Sequence, residues 1–121
     1  MTFAVRVVLT AEQRRDVARG AFVRVELGAK IDVGEVEAQS AVVGRAGGQW
    51  RAYANVCRHH AVPLDFGMDT VMADDGRHLL CHQHGALYRP IDGACVGGPC
   101  LGMALEPMGV DEDGDALVLR A

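Results

Sequence analysis

Two short stretches of this chain concentrate the side chains able to grip a soft metal: Cys57-Arg58-His59-His60 and Cys81-His82-Gln83-His84-Gly85. Each can supply one thiolate and one imidazole. Thiolates suit iron–sulfur chemistry or zinc, and imidazole suits either. Side by side, two such stretches would surround one inorganic centre with two sulfurs and two nitrogens. Short zinc modules instead pair Cys with Cys at x2–4 and His with His at x3–5 spacing. Two mixed pairs fit that pattern poorly, so zinc is the second reading. Two further thiols, Cys95 and Cys100, flank Gly97-Gly98-Pro99. They read as small buried hydrophobes or as a pair bridging that loop, the first being preferred where thiols stay reduced.

The stretches sit where strands end. Residues 5–9 read as an opening strand, and Thr10 with Gln13 has capping-box spacing for a single helical turn within 10–20. Between Ala21 and Leu27, Val23, Val25 and Leu27 alternate with Arg24 and Glu26, the pattern of a half-buried strand. Residues 41–45 and 49–56 form a hairpin around Ala46-Gly47-Gly48, its second arm running directly into Cys57. A strand over 77–81 leads into Cys81, one over 86–91 leads away from His84, and a last strand covers 116–120. Asp92-Gly93 and Asp113-Gly114 are turn signals. Residues 60–76 are irregular, with one Pro, two Gly and four Asp, and a loop of that length usually has a task. Phe22, Trp50 and Tyr53 read as core. His60 and His82 read as loop residues, His78 as an ordinary strand residue, and Asp65, Asp69, Asp74 and Asp75 as a solvated or steering charge cluster.

The bulk numbers agree with one β-rich domain. The chain has 121 residues, is 50% apolar, and carries fifteen Gly but only one Trp, two Tyr and three Phe. Net charge is −4, which argues against nucleic acid as a partner. No apolar run approaches the roughly 18–20 residues of a membrane span. The start lacks a basic region followed by a long apolar stretch, so no secretory signal is expected and the cytoplasm is the default compartment.

The pattern Cys-x-His followed by Cys-x-x-His resembles that of the Rieske family, whose [2Fe–2S] centres have two His in place of two Cys on one iron. Ala-Tyr-Ala-Asn-Val before Cys57, Pro63-Leu64-Asp65 after it, His84-Gly85, and Gly97-Gly98-Pro99 extend the resemblance over roughly residues 21–120. It implies an all-β fold, a Rieske-like antiparallel β-sandwich or barrel with a cluster-binding subdomain of two ligand loops. That subdomain would cover about 56–100 of a single domain spanning 1–121. It implies one [2Fe–2S] cluster, with Cys57 and Cys81 on a buried iron and His59 and His84 on the outer one. Gly85 and Pro99 would shape the backbone close to the cluster.

This chain departs from the high-potential members of the family. It has no extra cysteine in either ligand loop, and Ala86 stands where they place a Ser. Tyr88 occupies the position of a Tyr whose hydroxyl bonds a ligand sulfur. The 21 residues between His59 and Cys81 exceed those of compact ferredoxins. The resemblance implies an electron carrier rather than an enzyme, working between a reductase and a terminal oxygenase. A regulatory or structural subunit of a larger redox complex is the alternative, and a zinc-binding interaction domain a more distant one.

Overall fold

The computed structural model describes residues 3–121. Its elements in chain order are β1 (Ala4–Val7), α1 (Ala11–Ala18), β2 (Val23–Val33), β3 (Val36–Ala46), β4 (Gln49–Ala54), β5 (Leu79–Leu80), β6 (Leu87–Tyr88), β7 (Cys95–Gly97), β8 (Pro107–Asp113) and β9 (Ala116–Arg120). Six strands make one antiparallel sheet in the order β1-β9-β8-β4-β3-β2, and β5-β6-β7 make a second. β4 pairs directly with β8 through Ala52 and Met108, so everything from residue 55 to 106 is an excursion between two neighbouring strands. Both ligand stretches and the small sheet lie in that excursion. The all-β reading is correct.

The central hairpin forms for the reason its alternation suggests. Val43, Ala52 and Ala54 face one core with Val23, Val25, Leu27, Leu117 and Leu119. Val42 and Tyr53 face a second core with Phe22, Cys57, Leu64, Leu79, Cys81, Tyr88 and Cys100. β3 and β4 are therefore covered on both faces where they approach the site, which ties the site rigidly to the frame.

Several boundaries differ from the sequence expectation. The strand expected over 21–27 continues to Val33, because a bulge between Glu26 and Ile31 absorbs Gly28, whose φ is +79°. The helix has eight residues rather than one turn, and its capping box is intact, with Gln13 N–H on Thr10 Oγ1 at 3.0 Å and Thr10 N–H on Gln13 Oε1 at 2.9 Å. β5 and β6 keep only two residues each of the strands expected over 77–81 and 86–91. β7 and β8 were not anticipated. β8 begins at Pro107 and ends in Asp111-Glu112-Asp113, a composition that reads as loop until β9 pairs along it. Phe22 and Tyr53 are buried, but Trp50 is only half-buried against the first core.

Candidate metal centre

Backbone hydrogen bonds shape the two stretches before any metal is considered. The first leaves β4 through Val56 and turns back so that Cys57 N–H meets the Val62 carbonyl at 2.8 Å. The second closes on itself, with Gly85 N–H on the Cys81 carbonyl at 2.8 Å and Cys81 N–H on the Ala86 carbonyl at 2.9 Å. Gly85 has a φ of +78°, which a side chain would strain. The loop carrying Pro99 lies against this turn. A Cβ on Gly98 would come within 2.8 Å of the Gly85 carbonyl oxygen, so only glycine allows that approach. Pro99 itself is exposed.

Asn55 and Leu64 fasten the two stretches together. Asn55 is 2% exposed. Its Oδ1 accepts the Leu64 N–H at 2.9 Å, and its Nδ2 donates to Ser40 Oγ at 3.1 Å and Asp65 Oδ1 at 3.2 Å. The Leu64 carbonyl then accepts the N–H of His82. Asp65 also takes Arg24 Nη1 at 3.2 Å and its side chain is 11% exposed, so it is a structural member rather than part of a solvated cluster. Asp75 is likewise engaged, accepting the N–H groups of Arg77 and His78. Asp69 and Asp74 remain exposed.

The side chains expected as ligands gather at one end of the small sheet. Cys57 and Cys81 are buried free thiols, 1% and 0% exposed. His59 is exposed and His84 partly so, with ring centroids 4.9 Å apart. His60 joins them, 4.3 Å from His59 and 4.4 Å from His84, so proximity alone does not separate His59 from His60. Nδ1 of His84 is buried with no hydrogen-bond partner, as are Nε2 of His82 and Nε1 of Trp50; of the three, the His84 ring is the one packed beside His59.

Electrostatics prepare the same groups for a cation. Burial opposes ionisation of Cys57, but hydrogen bonds from Tyr88, Cys81 and the backbone of His60 and His59 outweigh it and lower the thiol's pKa. Burial and the neighbouring Cys57 raise that of Cys81. Without a metal, one thiolate is favoured and the second resisted; a bound cation removes that resistance. Loss of solvation, then the nearby His60 and His59, lower the His84 pKa and favour the neutral imidazole that binds metal.

The family model for the Rieske [2Fe-2S] domain matches residues 8–108. The chain belongs to that family. Its cofactor is accordingly one [2Fe–2S] cluster, and buried paired thiols with an orphaned imidazole nitrogen fit such a group. Zinc is set aside by the same finding. Among solved structures, this Rieske domain resembles the ferredoxin of carbazole 1,9a-dioxygenase from Nocardioides aromaticivorans IC177, with 23% identity, 96% and 95% of the two chains covered and a TM-score of 0.58. It also resembles a chain in a complex of reduced oxygenase and oxidized ferredoxin of carbazole 1,9a-dioxygenase, at 22% identity, 96% and 91% coverage and a TM-score of 0.62. The plasma membrane Rieske protein of Synechocystis PCC 6803 is similar at 16% identity, 97% and 99% coverage and a TM-score of 0.62. These likenesses establish shared fold. Among curated proteins none matches the chain. No described helix is long and apolar enough to cross a membrane.

Other residues shape the Rieske site without having stood out in the sequence. Arg58, between Cys57 and His59, reaches Glu106 at 2.8 Å and the Ala104 carbonyl at 3.0 Å with its side chain 11% exposed, anchoring the first loop to the segment entering β8. Its place inside the motif was the available signal. Tyr88, anticipated, has its hydroxyl 3.5 Å from Cys57 Sγ and accepts the Arg58 N–H at 3.1 Å. Cys95 and Cys100 are free buried thiols, and Cys95 Sγ donates to the Gly97 carbonyl.

Proposed function

We propose that Cys57, His59, Cys81 and His84 hold the [2Fe–2S] cluster and that this chain carries single electrons from a reductase to a terminal oxygenase. The observation that carries the reading is the division of the site, with two thiols fully buried and two imidazoles at the surface end. When bound, a cluster of this type supplies a one-electron couple at a potential above that of an all-thiolate cluster. Cys57 and Cys81 keep the sulfur ligands away from water. His59 and His84 give a docked partner a short route to the centre. Gly85 and Gly98 bring backbone close around it, with Pro99 beyond.

The partner class is supported by the similar ferredoxin and ferredoxin–oxygenase structures and by exposed residues of the proline loop and the connector. Leu101 and Met103, just after the proline loop, are exposed and offer apolar contact. Asp69 and Asp74 on the connector would favour a basic partner. We place the carrier in the cytoplasm, with the whole of 1–121 acting as one domain whose cluster-binding part covers about 56–100.

Absorption and EPR spectra of the reduced protein, with iron and sulfide analysis, test the site. The wild type and His60→Ala should hold a Rieske-type cluster, whereas Cys81→Ser should be colourless. An intact cluster in Cys81→Ser, or its loss in His60→Ala but not His59→Ala, would overturn the ligand set. Rapid mixing of the reduced protein with a Rieske-type oxygenase tests the carrier role. Transfer too slow for turnover would favour the regulatory subunit.

A further inference from the structure

Cys100 is fully buried beside the site, packed in the second core, and is not one of the four proposed ligands. Its Sγ lies 3.3 Å from the Tyr88 hydroxyl, which is also 3.5 Å from Cys57 Sγ and accepts the Arg58 N–H. That hydroxyl has one proton and two sulfurs within reach. Of the two sulfurs Cys100 is the nearer. A metal-bound Cys57 is a thiolate, and a hydrogen bond to an ionised acceptor is roughly twice as strong as one between neutral groups. The Tyr88 hydroxyl then donates its hydrogen bond to Cys57. The tyrosine oxygen keeps two lone pairs, one taken by Arg58, the other left for the Cys100 S–H.

We propose that Cys100 is a positioning residue that donates its S–H to the Tyr88 hydroxyl, strengthening the hydrogen bond from Tyr88 to the Cys57 sulfur and raising the cluster's reduction potential. The proposal rests on Cys57 being a ligand. Donors to ligand sulfurs stabilise the reduced, more negative cluster, and donors in series polarise one another. The relay supplies from the proline loop part of what Ala86, which has no hydroxyl, cannot supply from the second ligand loop.

Redox titration of cluster-loaded wild type, Cys100→Ala, Cys100→Ser, Tyr88→Phe and the double variant Tyr88→Phe/Cys100→Ala tests this, with iron and sulfide measured in each. Cys100→Ala should lower the midpoint potential with the cluster intact, and Cys100→Ser, which keeps a donor, should return it toward wild type. In the Tyr88→Phe background the Cys100→Ala shift should vanish. An unchanged potential in Cys100→Ala overturns the relay, as does an equal shift with and without the Tyr88 hydroxyl. Should Cys100→Ala lose its cluster, Cys100→Val refills the space without a donor and carries the same test; loss in Ala, Val and Ser variants alike also overturns it. Wild-type protein without iron and sulfide would sink the ligand reading instead.

Discussion

The N–H of His82 donates to the carbonyl of Leu64 at 2.9 Å, joining the second Cys/His stretch to the chain that leaves the first. The link is held from behind, since the Leu64 N–H is fixed by the buried Asn55 side chain. Hydrogen bonds within the protein thus help to register the two stretches against each other.

Asn55→Ala should therefore act on both stretches. It leaves the buried Leu64 N–H without an acceptor, an omission worth about 1–3 kcal/mol. Denaturant unfolding should show a loss of that size, and iron should be released to a chelator faster than from wild type. An unchanged release rate would mean that the Leu64–His82 link does not govern the site.

Tyr88→Phe removes the hydroxyl near Cys57 and leaves the Arg58 N–H without its acceptor. The potential should fall, because a donor to a ligand sulfur is lost. Stability should fall by about 1 kcal/mol, the typical net worth of one hydrogen bond. Redox titration and thermal unfolding measure the two separately, and an unaltered potential would remove Tyr88 from the tuning role.

Gly98→Ala tests the seating of the proline loop. The residue has a φ of +81°, and a Cβ would press on the Gly85 carbonyl and Ala86. The left-handed conformation alone costs a non-glycine residue about 1–2 kcal/mol. The loop should lift and the cluster become labile to oxygen and chelators. Wild-type persistence of colour would show that the loop tolerates displacement without exposing the site.

The two tyrosines bear on alkaline behaviour. Burial pushes the Tyr53 pKa up to about 12, and its hydroxyl donates to the Pro90 carbonyl at 2.7 Å. Burial likewise raises that of Tyr88. An unfolded chain ionises tyrosine near about 10. Above that pH the unfolded state has lost protons that the folded state keeps, so stability is full below about 10 and declines as pH rises toward about 12. An ultraviolet titration should detect no tyrosinate until the protein nears its alkaline unfolding. Tyrosinate appearing near the ordinary value in folded protein would contradict the burial of both side chains.

The composition and spacing of the chain determined its chemistry and its β character. Ligand type is a property of Cys and His themselves, and strand alternation is local, so Cys57, Cys81 and the β3–β4 hairpin were visible residue by residue. The capping box was equally local, although the helix ran further than its first turn. β8 was not visible, because an acidic, Pro- and Gly-containing stretch becomes a strand only when β9 supplies its hydrogen bonds.

The second tier of the site was decided by the folded structure. Asp65 read as one of four loop carboxylates until β2 brought Arg24 to it across 41 residues. Cys100 read as a small buried hydrophobe until the proline loop set it against Tyr88. Neither contact has a sequence signature. Each depends on how sheet register and loop closure place groups distant along the chain, and packing sets that distance independently of their spacing.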